Sequence, residues 1–455
     1  MTIWKRLANY DGARPEFRRA ALLVGTALGP LLAANPPQPV PPDFAGLYRP
    51  VPTPLAPALR REGDSLRLFL NRAAPAAGSA RALGLRLTAW SSYDAPQPLW
   101  QEVRPLRPYP GSDPAASMQV LTAAVAASRL APGQVLQLTL EPSIASATTT
   151  PIKAPTGAAD TAPPGAVPTP PLDPATTAWL PITAERLTRP FVLLDSTGLI
   201  LDKPYVREGT AVAIAEYGPS QPIRWRRYAA GAAALPPFAD PRNQPVVPRR
   251  LAVLDSAAAP GAAGQLVPLP RQGLVAFRVG GGLGGTPVRT VPLLVTRPDF
   301  PGQTTAAELI DNLLYLTSAA ERQQLAAAPD PKRAVDRFWL QAAGGDQARA
   351  RELIRRYYGH ITAANELFSG HKAGWRTDRG LLYVVLGPPQ RVTRTATEER
   401  WYYSHAGRQG EPVTFTFRPR PSTLAPDNYE LVRRPEYELL WYAAVEQWRR
   451  PLSVR

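Results

Sequence analysis

Hydrophobic and polar residues alternate over much of the first 300 residues with a period of two, as expected for β-strands that bury one face. In the first part, turn residues separate four such runs, at residues 65–70, 83–90, 118–125 and 135–140. Short alternating runs at this spacing are typical of antiparallel sandwiches. The pattern therefore predicts a small antiparallel β-sandwich-like module over residues 61–142.

The same period returns further along the chain and predicts a second β-sandwich-like module over residues 179–300. Its strand-like runs are residues 191–194, 198–201, 211–215, 223–228, 251–254, 274–279 and 291–295. Residues 280–285 are rich in glycine, but no Lys-Ser or Lys-Thr pair follows, as it would in a phosphate-binding loop. A hairpin or flexible loop is therefore favoured there.

After Pro301 the hydrophobic period changes to that of an α-helix, which predicts a helical segment over residues 301–370. Two capping boxes, a Pro after an Asp, and a further Asp mark four helix starts, at Thr305, Ser318, Asp330 and Asp346. The fourth helix carries apolar residues three or four apart, namely Leu353, Tyr357, Ile361, Ala364 and Phe368. This stripe predicts a face packed on a core.

Residues 371–455 are predicted to form an antiparallel sheet with a terminal helix. The apolar run 381–386 ends at Gly387-Pro388-Pro389 and is interpreted as a buried strand, with further strands at 391–395, 400–404 and 413–418. Residues 437–448 place Leu440, Ala444 and Trp448 four apart, which favours a helix, although Tyr437, Leu439 and Trp441 also alternate as in a strand.

The predicted fold class is therefore multidomain and mostly β, with two sandwich-like modules, a helical segment and a C-terminal α+β domain. Pro accounts for 55 of the 455 residues and is concentrated between these parts. Residues 35–60 are Pro-rich and predict an extended linker. Residues 143–178 are rich in Thr, Ala and Pro, which pack poorly, and predict a second linker.

Residues 1–34 resemble an export signal, because basic residues precede an apolar run that ends in small residues. The run is too short, and too broken by Gly25, Gly29 and Pro30, for a membrane span. We therefore expect an exported protein of the periplasm or the outer membrane surface. The alternative is a disordered cytoplasmic tail with a chance apolar run.

The formal net charge of +16 comes mostly from Arg and is spread along the chain. The best basic patch is residues 224–228, where an exposed strand is favoured over nucleic-acid contact; anionic polysaccharide or lipid headgroups suit diffuse positive charge equally well. Cys is absent, which excludes disulfides and thiolate sites. His360, His371 and His405 do not have metal-ligand spacing, so no metal or cofactor is predicted.

The densest local signal is residues 374–380, Gly-Trp-Arg-Thr-Asp-Arg-Gly. Gly374 and Gly380 allow a positive φ or a close backbone approach. Thr377 and Asp378 carry short oxygen side chains that bond nearby backbone N–H groups. We expect Trp375 to enter a core, and Arg376 and Arg379 to be the ion-pair candidates of Asp378.

This motif, followed by an apolar run and Gly387-Pro388, resembles that of the bacterial GWxTD domain proteins. The resemblance extends over about the last third of the chain and includes Phe338, Trp339, Arg356, Tyr357, Ala364, Asn365 and Phe368. It implies a domain type without an activity. Lipid anchoring is common in such relatives, but without Cys no such anchor is expected here.

Three hypotheses for function follow. The first is a non-catalytic exported binding or scaffold protein of the cell envelope, whose C-terminal domain binds a protein or an envelope polymer. Under this hypothesis the motif residues with a structural role are Gly374, Trp375, Thr377, Asp378, Gly380 and Gly387. The candidate binding residues are Trp375, Arg376, Asp378, Arg379 and Tyr383.

The second hypothesis is an envelope carbohydrate-active hydrolase that uses Asp378 and Glu366, with His371 nearby. It requires both carboxyl groups to face one cleft, within about 10 Å. The third is a nucleic-acid binder that uses the Arg-rich patch 224–228. The first is favoured, because paired Arg and Asp in a Gly-bounded loop are commonly structural.

Overall fold

A computed structural model of the chain describes residues 42–73, 83–110, 117–142, 172–229, 231–240, 251–258, 264–281, 287–404 and 412–450. The predicted export signal, most of the linker 143–178 and His405 lie outside these residues. Within them the chain is mostly β up to residue 300, in several largely antiparallel sheets, and α+β after it. Six of the seven α-helices in the described residues follow residue 300.

Two four-stranded antiparallel sheets come first in the chain. Their strands are β1 Ala58–Glu62, β2 Ser65–Ala73, β3 Leu83–Trp90, β4 Trp100–Pro105, β5 Arg107–Pro108, β6 Met118–Ala126, β7 Val135–Pro142 and β8 Thr177–Pro181. The orders are β1-β2-β6-β5 and β4-β3-β7-β8. Leucines at alternate positions of both sheets, such as Leu66, Leu85 and Leu136, share one hydrophobic core.

The predicted boundary at residue 178 falls inside β8, so it is wrong at this end. Leu180 pairs with Leu136 of β7, and its side chain belongs to the same core. β8 has only five residues and follows directly on a Thr- and Pro-rich stretch. A hydrophobic pattern this short does not identify a strand until the partner strand is known.

The second β region contains a short helix and eight strands in the described residues. They are α1 Ala184–Thr188, β9 Phe191–Leu194, β10 Tyr205–Arg207, β11 Ala211–Glu216, β12 Ile223–Tyr228, β13 Val253–Ala258, β14 Leu266–Pro268, β15 Gly273–Val279 and β16 Arg289–Thr296. One sheet has the order β10-β16-β15-β12-β13, in which β10 and β16 are parallel. The other has the order β14-β11-β9.

Three details of this region differ from the sequence prediction or refine it. Residues 198–201 form an isolated bridge at Ile200 rather than a strand, and the strand predicted at 251–254 begins at Val253. β15 and β16 are antiparallel neighbours, as the favoured hairpin requires, although residues 282–286 of the connection lie outside the described residues.

Four helices form the segment after Pro301, as predicted: α2 Ala306–Asn312, α3 Ala319–Ala327, α4 Pro331–Ala342 and α5 Gln347–Phe368. Thr305 and Ser318 both form complete capping boxes, and Asp330 and Asp346 cap α4 and α5. The predicted apolar stripe of α5 is buried throughout. Capping residues thus fixed the helix starts.

The apolar run after the Gly-Trp-Arg-Thr-Asp motif is a helix, α6 Asp378–Leu386, so the strand predicted at 381–386 is wrong. The Thr377 hydroxyl accepts a hydrogen bond from the Gly380 N–H at 3.0 Å and caps the helix. Gly387, with φ of 83°, ends it. The helix is buried nearly all round, so it has no polar face, and a short apolar run without a polar face does not distinguish helix from strand.

The C-terminal sheet is an antiparallel meander in the order β17-β18-β19-β20. Its strands are β17 Arg391–Arg394, β18 Glu399–Tyr403, β19 Val413–Pro419 and β20 Tyr429–Leu431. The terminal segment is a helix, α7 Tyr437–Arg449, and not a last strand. Its buried residues, Tyr437, Trp441, Ala444 and Trp448, recur three or four apart and join the same core as α5 and α6.

Residues 43–48, which we call the N-terminal strap, lie within the predicted linker 35–60 but are packed into the C-terminal core. Phe44 and Tyr48 are 1% and 4% exposed. The Phe44 N–H donates to the Val392 carbonyl, and the Asp43 carboxylate accepts from the Val392 N–H, both at 2.9 Å. An extended linker is therefore wrong for these residues, because two aromatic side chains anchor them.

Candidate functional site

The Gly-Trp-Arg-Thr-Asp motif forms a corner between α5 and α6, with a 3₁₀ turn at Gly374–Arg376. A Cβ atom at Gly374 would overlap the carbonyl of Ala364, and one at Gly380 would overlap the carbonyl of Gly374. Neither glycine has a positive φ. Of the two reasons for glycine that the sequence allows, close backbone approach is therefore the one that applies at both positions.

Side-chain oxygens hold this corner in place. Ser369 Oγ accepts from the Gly374 N–H at 2.9 Å, and Asn365 Oδ1 accepts from the Trp375 N–H at 3.4 Å. The Thr377 hydroxyl donates to the Gly374 carbonyl at 2.7 Å. Buried N–H groups that helix geometry leaves unpaired are thus satisfied by neighbouring side chains.

The two aromatic binding candidates are buried. Trp375 packs edge-on against Tyr315 with ring centres 5.8 Å apart, and the Tyr315 hydroxyl donates to the Trp375 carbonyl at 3.2 Å. The Tyr383 hydroxyl donates to the Tyr48 carbonyl at 3.3 Å, and burial raises the pKa of Tyr383 to about 12. Trp375 and Tyr383 are 5% and 3% exposed, so little of either ring is left for contact with a ligand.

Asp378 pairs with Arg433, which the sequence did not indicate. Arg433 Nη2 lies 2.5 Å from Asp378 Oδ1, and the Leu431 N–H donates to Oδ2 at 2.8 Å. Both charged side chains are largely buried. Arg376, one of the two expected partners, pairs instead with Asp311 at 2.5 Å. The Asp378 carboxylate therefore ties α6 to the last residue of β20 and to Arg433 just after it.

Arg379, the other expected partner, packs between aromatic rings. Its guanidinium lies 4.4 Å from the centre of the Tyr429 ring and 5.3 Å from that of Phe368, and it donates to the Asp427 carbonyl at 3.3 Å. Arg379 is one of the motif's side chains that also line a cleft, as described below.

Arg394 and Glu399 form a buried ion pair beside the strap, which was not predicted from the sequence. Arg394 Nε donates to Glu399 at 2.8 Å, and Arg394 Nη2 donates to the Tyr48 hydroxyl at 2.6 Å. Burial opposes ionisation of Glu399, but Arg394 and Arg379 hold the pKa of its carboxyl below the ordinary value. The available signal was that Glu399, Trp401 and Tyr403 alternate, which places a carboxylate on the buried face of a strand.

The cleft has a volume of about 850 Å³ and lies where both β regions meet the C-terminal part. It is lined by residues of β1, α1, β9 and β16, by the end of α5, and by residues 200–204 and 421–429. Apolar residues such as Leu59, Val192 and Val291 form its walls.

Charges of both signs line the same cleft. Arg186 pairs with Asp427 at 3.3 Å, and Arg189 lies 3.6 Å from Glu185. Besides Arg379, four charged residues of the lining have no ion-pair partner among the described residues: Asp202, Lys203, Arg289 and Glu366. The Lys203 ammonium also lies 5.6 Å from the centre of the Tyr205 ring. A ligand in the cleft could pair with Asp202, Arg289 and Glu366.

The three residues of the hydrolase hypothesis are not brought together in this cleft. Glu366 and His371 line it, whereas Asp378 does not and is occupied by Arg433. Burial, reinforced by the neighbouring Lys372, lowers the pKa of His371 to about 4, so this imidazole is neutral near pH 7. Asp202 is another carboxyl of the lining that has no ion-pair partner among the described residues, and burial raises its pKa. No sequence pattern distinguishes Asp202 from the other carboxyls of the chain.

Within the described ranges, no group of three His, Asp or Glu side chains is placed to hold a metal ion. In the same part of the chain, no helix combines the length and the hydropathy that a bilayer span requires.

Comparison with known proteins places the C-terminal part in a domain class. The model of the GWxTD domain matches residues 284–450, which include β16, all six C-terminal helices and the meander. The chain is therefore a GWxTD domain-containing protein, and the resemblance inferred from the motif is confirmed. No curated protein matches the chain.

Proposed function

We propose that this chain is a non-catalytic binding or scaffold protein of the bacterial cell envelope, and that the cleft beside the GWxTD corner is its binding site. In this proposal residues 1–34 direct export, the two β regions are sandwich-like modules that present the GWxTD domain, and the ligand is a protein segment or an envelope polymer. The site is assigned to the cleft and not to the motif itself.

The observation that carries the proposal is the composition of the cleft. It combines apolar walls with Asp202, Lys203, Arg289 and Glu366, which have no ion-pair partner among the described residues. Concave sites with a few polar groups on an apolar lining are the usual binding sites of proteins. A volume of about 850 Å³ accommodates several residues of a peptide or a few sugar units.

The packing of the motif supports the same assignment. Trp375, Asp378 and Tyr383 each make internal contacts that a ligand would have to break. Arg379 is the motif residue that reaches the cleft with a charged side chain. We therefore propose that the Gly-Trp-Arg-Thr-Asp corner positions the cleft wall, and that a ligand contacts Arg379 and the lining beyond it.

The hydrolase hypothesis receives no support at Asp378, because that carboxylate is outside the cleft and paired. An enzyme in this cleft would have to use Asp202 with Glu366 instead. Bond cleavage is therefore kept as an outcome of the experiment.

The experiment uses the full chain and two defined mixtures, purified cell-wall polymer for sedimentation and solubilised envelope proteins for crosslinking. The test variant reverses two cleft charges, Lys203→Glu with Arg289→Glu. The matched control, Arg351→Glu with Arg355→Glu, makes the same charge change on the exposed side of α5. We expect the wild type and the control to retain one ligand that the cleft variant loses.

Equal retention by the cleft variant and the control would refute the cleft as the site. Release of soluble sugar fragments from the polymer by the wild type, abolished by Asp202→Asn and by Glu366→Gln, would refute the non-catalytic assignment. Circular dichroism before each assay confirms that the variants are folded.

A further inference from the structure

The five-stranded sheet ends in an edge strand, β13, that is exposed along its whole length. All six residues of Val253–Ala258 are exposed, and Val253 and Leu254 retain 53% and 52% of their surface. β13 pairs with β12 on one side, and no strand of the described residues pairs with its other side. Exposed edges are usually protected by Pro, Lys or a bulge that turns them away. β13 contains no Pro and no Lys. Its pairing with β12 has one register shift, between Arg227 and Tyr228, and residues 255–258 beyond it pair regularly.

Three arginines on the neighbouring strands form what we call the Arg patch: Arg224 and Arg226 of β12, and Arg278 of β15. Arg224 stands directly opposite Arg278, a like-charged pair that destabilises a sheet. None of the three has a carboxylate partner among the described residues. Arg224 and Arg226 are exposed. Their charge is therefore uncompensated among the described residues, and an acidic partner would complement it.

The side chains between the Arg patch and the open edge are short. Arg224 is opposite Ala258 of β13, and Arg226 is opposite Ser256. Because strands lie about 4.8 Å apart, a strand added to β13 would place its side chains about 10 Å from those of β12. An arginine and a glutamate together span that distance, and Ala258 and Ser256 do not block it.

We propose that β13 is a docking edge for an extended acidic segment of a partner protein, which adds a strand to the sheet and directs carboxylates onto the Arg patch. Strand addition takes its affinity from backbone hydrogen bonds and its specificity from alternate side chains. This edge lies outside the cleft and uses different residues, so it goes beyond the proposed function.

Charge selects this occupant over a second copy of the chain. Two copies joined through β13 would place both Arg patches on one continuous sheet, with their β12 strands three spacings or about 14 Å apart. A second copy would therefore add positive charge to this face and supply no carboxylate to the Arg patch. A carboxylate of an acidic segment placed beside Arg224 would also offset the repulsion between Arg224 and Arg278.

The experiment measures binding of the full chain to a defined probe by fluorescence anisotropy. The probe is an end-blocked eight-residue peptide that alternates Glu and Thr. A first control peptide has Lys in place of Glu, and a second has every backbone nitrogen methylated, so that it keeps its charge but donates no hydrogen bond. Inorganic polyphosphate serves as an anion without a peptide backbone.

We expect the Glu-Thr peptide to bind and both control peptides to bind at least about tenfold more weakly. Arg224→Gln with Arg226→Gln should weaken binding about tenfold, since each cross-strand ion pair contributes modestly. Ser256→Glu, which supplies an internal carboxylate beside Arg226, should weaken it similarly. The matched control, Arg351→Gln with Arg355→Gln on α5, should bind as the wild type does.

Equal binding of the methylated peptide would overturn the docking edge, because no backbone pairing would be involved. Polyphosphate binding that depends on the Arg patch, with no binding of the Glu-Thr peptide, would replace the proposal with a polyanion surface. Failure of Ser256→Glu to weaken binding in a folded protein would also overturn it.

Discussion

Gly374 and Gly380 are the residues of the motif with the strictest steric requirement. Each has a backbone carbonyl in the space that a Cβ atom would occupy. We predict that Gly374→Ala and Gly380→Ala each lower the free energy of unfolding by about 3 kcal/mol or more, because backbone, unlike a flexible side chain, cannot move aside cheaply. Urea denaturation of the full chain measures the effect.

Gly359 provides the matched control, because it lies within α5 and an added Cβ would contact nothing within 4 Å. Gly359→Ala should raise stability by about 0.5–1 kcal/mol through helix propensity. If Gly374→Ala behaved like Gly359→Ala, the close approach at the corner would be refuted.

Asp378 acts through its buried partner, Arg433. We predict that Asp378→Asn lowers stability by about 3 kcal/mol, because it leaves a largely buried guanidinium without its counter-charge. The comparison is Asp311→Asn, which removes the partner of Arg376 at a more exposed pair and should cost less than about 1 kcal/mol. Thermal unfolding of both variants provides the measurement, and equal effects would contradict the assignment.

For individual residues of the motif, the sequence predicted the structural role correctly more often than the contact partner. Trp375 as a core residue and Thr377 as a residue that bonds nearby backbone follow from local chemistry, and both agree with the geometry. The partner of Asp378 lies 55 residues further on. No local pattern favours Arg433 over Arg376 or Arg379, since only tertiary packing decides which guanidinium reaches the carboxylate.

The helix α6 was predicted as a strand, although the sequence contains residues suited to cap a helix. Thr377 precedes the apolar run 381–386 and Gly387 follows it, and both are typical helix caps. The six apolar residues between them fit a buried strand equally well. By contrast, α2 to α5 were predicted correctly, because their caps were combined with polar faces that show the helical period.

The amino-acid composition around the N-terminal strap predicted a linker and gave no indication that these residues are packed in the core. We predict that Phe44→Ala lowers stability by about 3–5 kcal/mol, the usual cost of removing a buried aromatic side chain. Arg49→Ala, an exposed position just after the strap, should have little effect. Equal unfolding midpoints for the two variants would show that residues 43–48 behave as part of the extended linker predicted from the Pro content of residues 35–60.

Across the whole molecule, the cleft makes stability depend on pH through His371. In the unfolded chain this imidazole takes up a proton as the pH falls through about 6.5. In the folded chain burial keeps it neutral until the pH reaches about 4. The unfolded state therefore binds more protons between these values, and stability falls as the pH falls through that window.

His371→Gln should remove this contribution. We predict that the stability of the wild type falls by about 2 kcal/mol more than that of the variant between pH 6.5 and pH 4, as measured by urea denaturation at each pH. Parallel curves for the two proteins would show that His371 protonates as easily in the folded chain as in the unfolded one.

The strap also constrains the order in which the chain completes its fold. Asp43 and Val392, which it joins, are separated by 349 residues, so the C-terminal core is finished by residues synthesised much earlier. A chain that folds as it leaves the ribosome must hold Phe44 and Tyr48 exposed until the segment around Val392 has been made, and contacts of such long range form slowly. The strap would therefore favour folding that starts only after that segment is available.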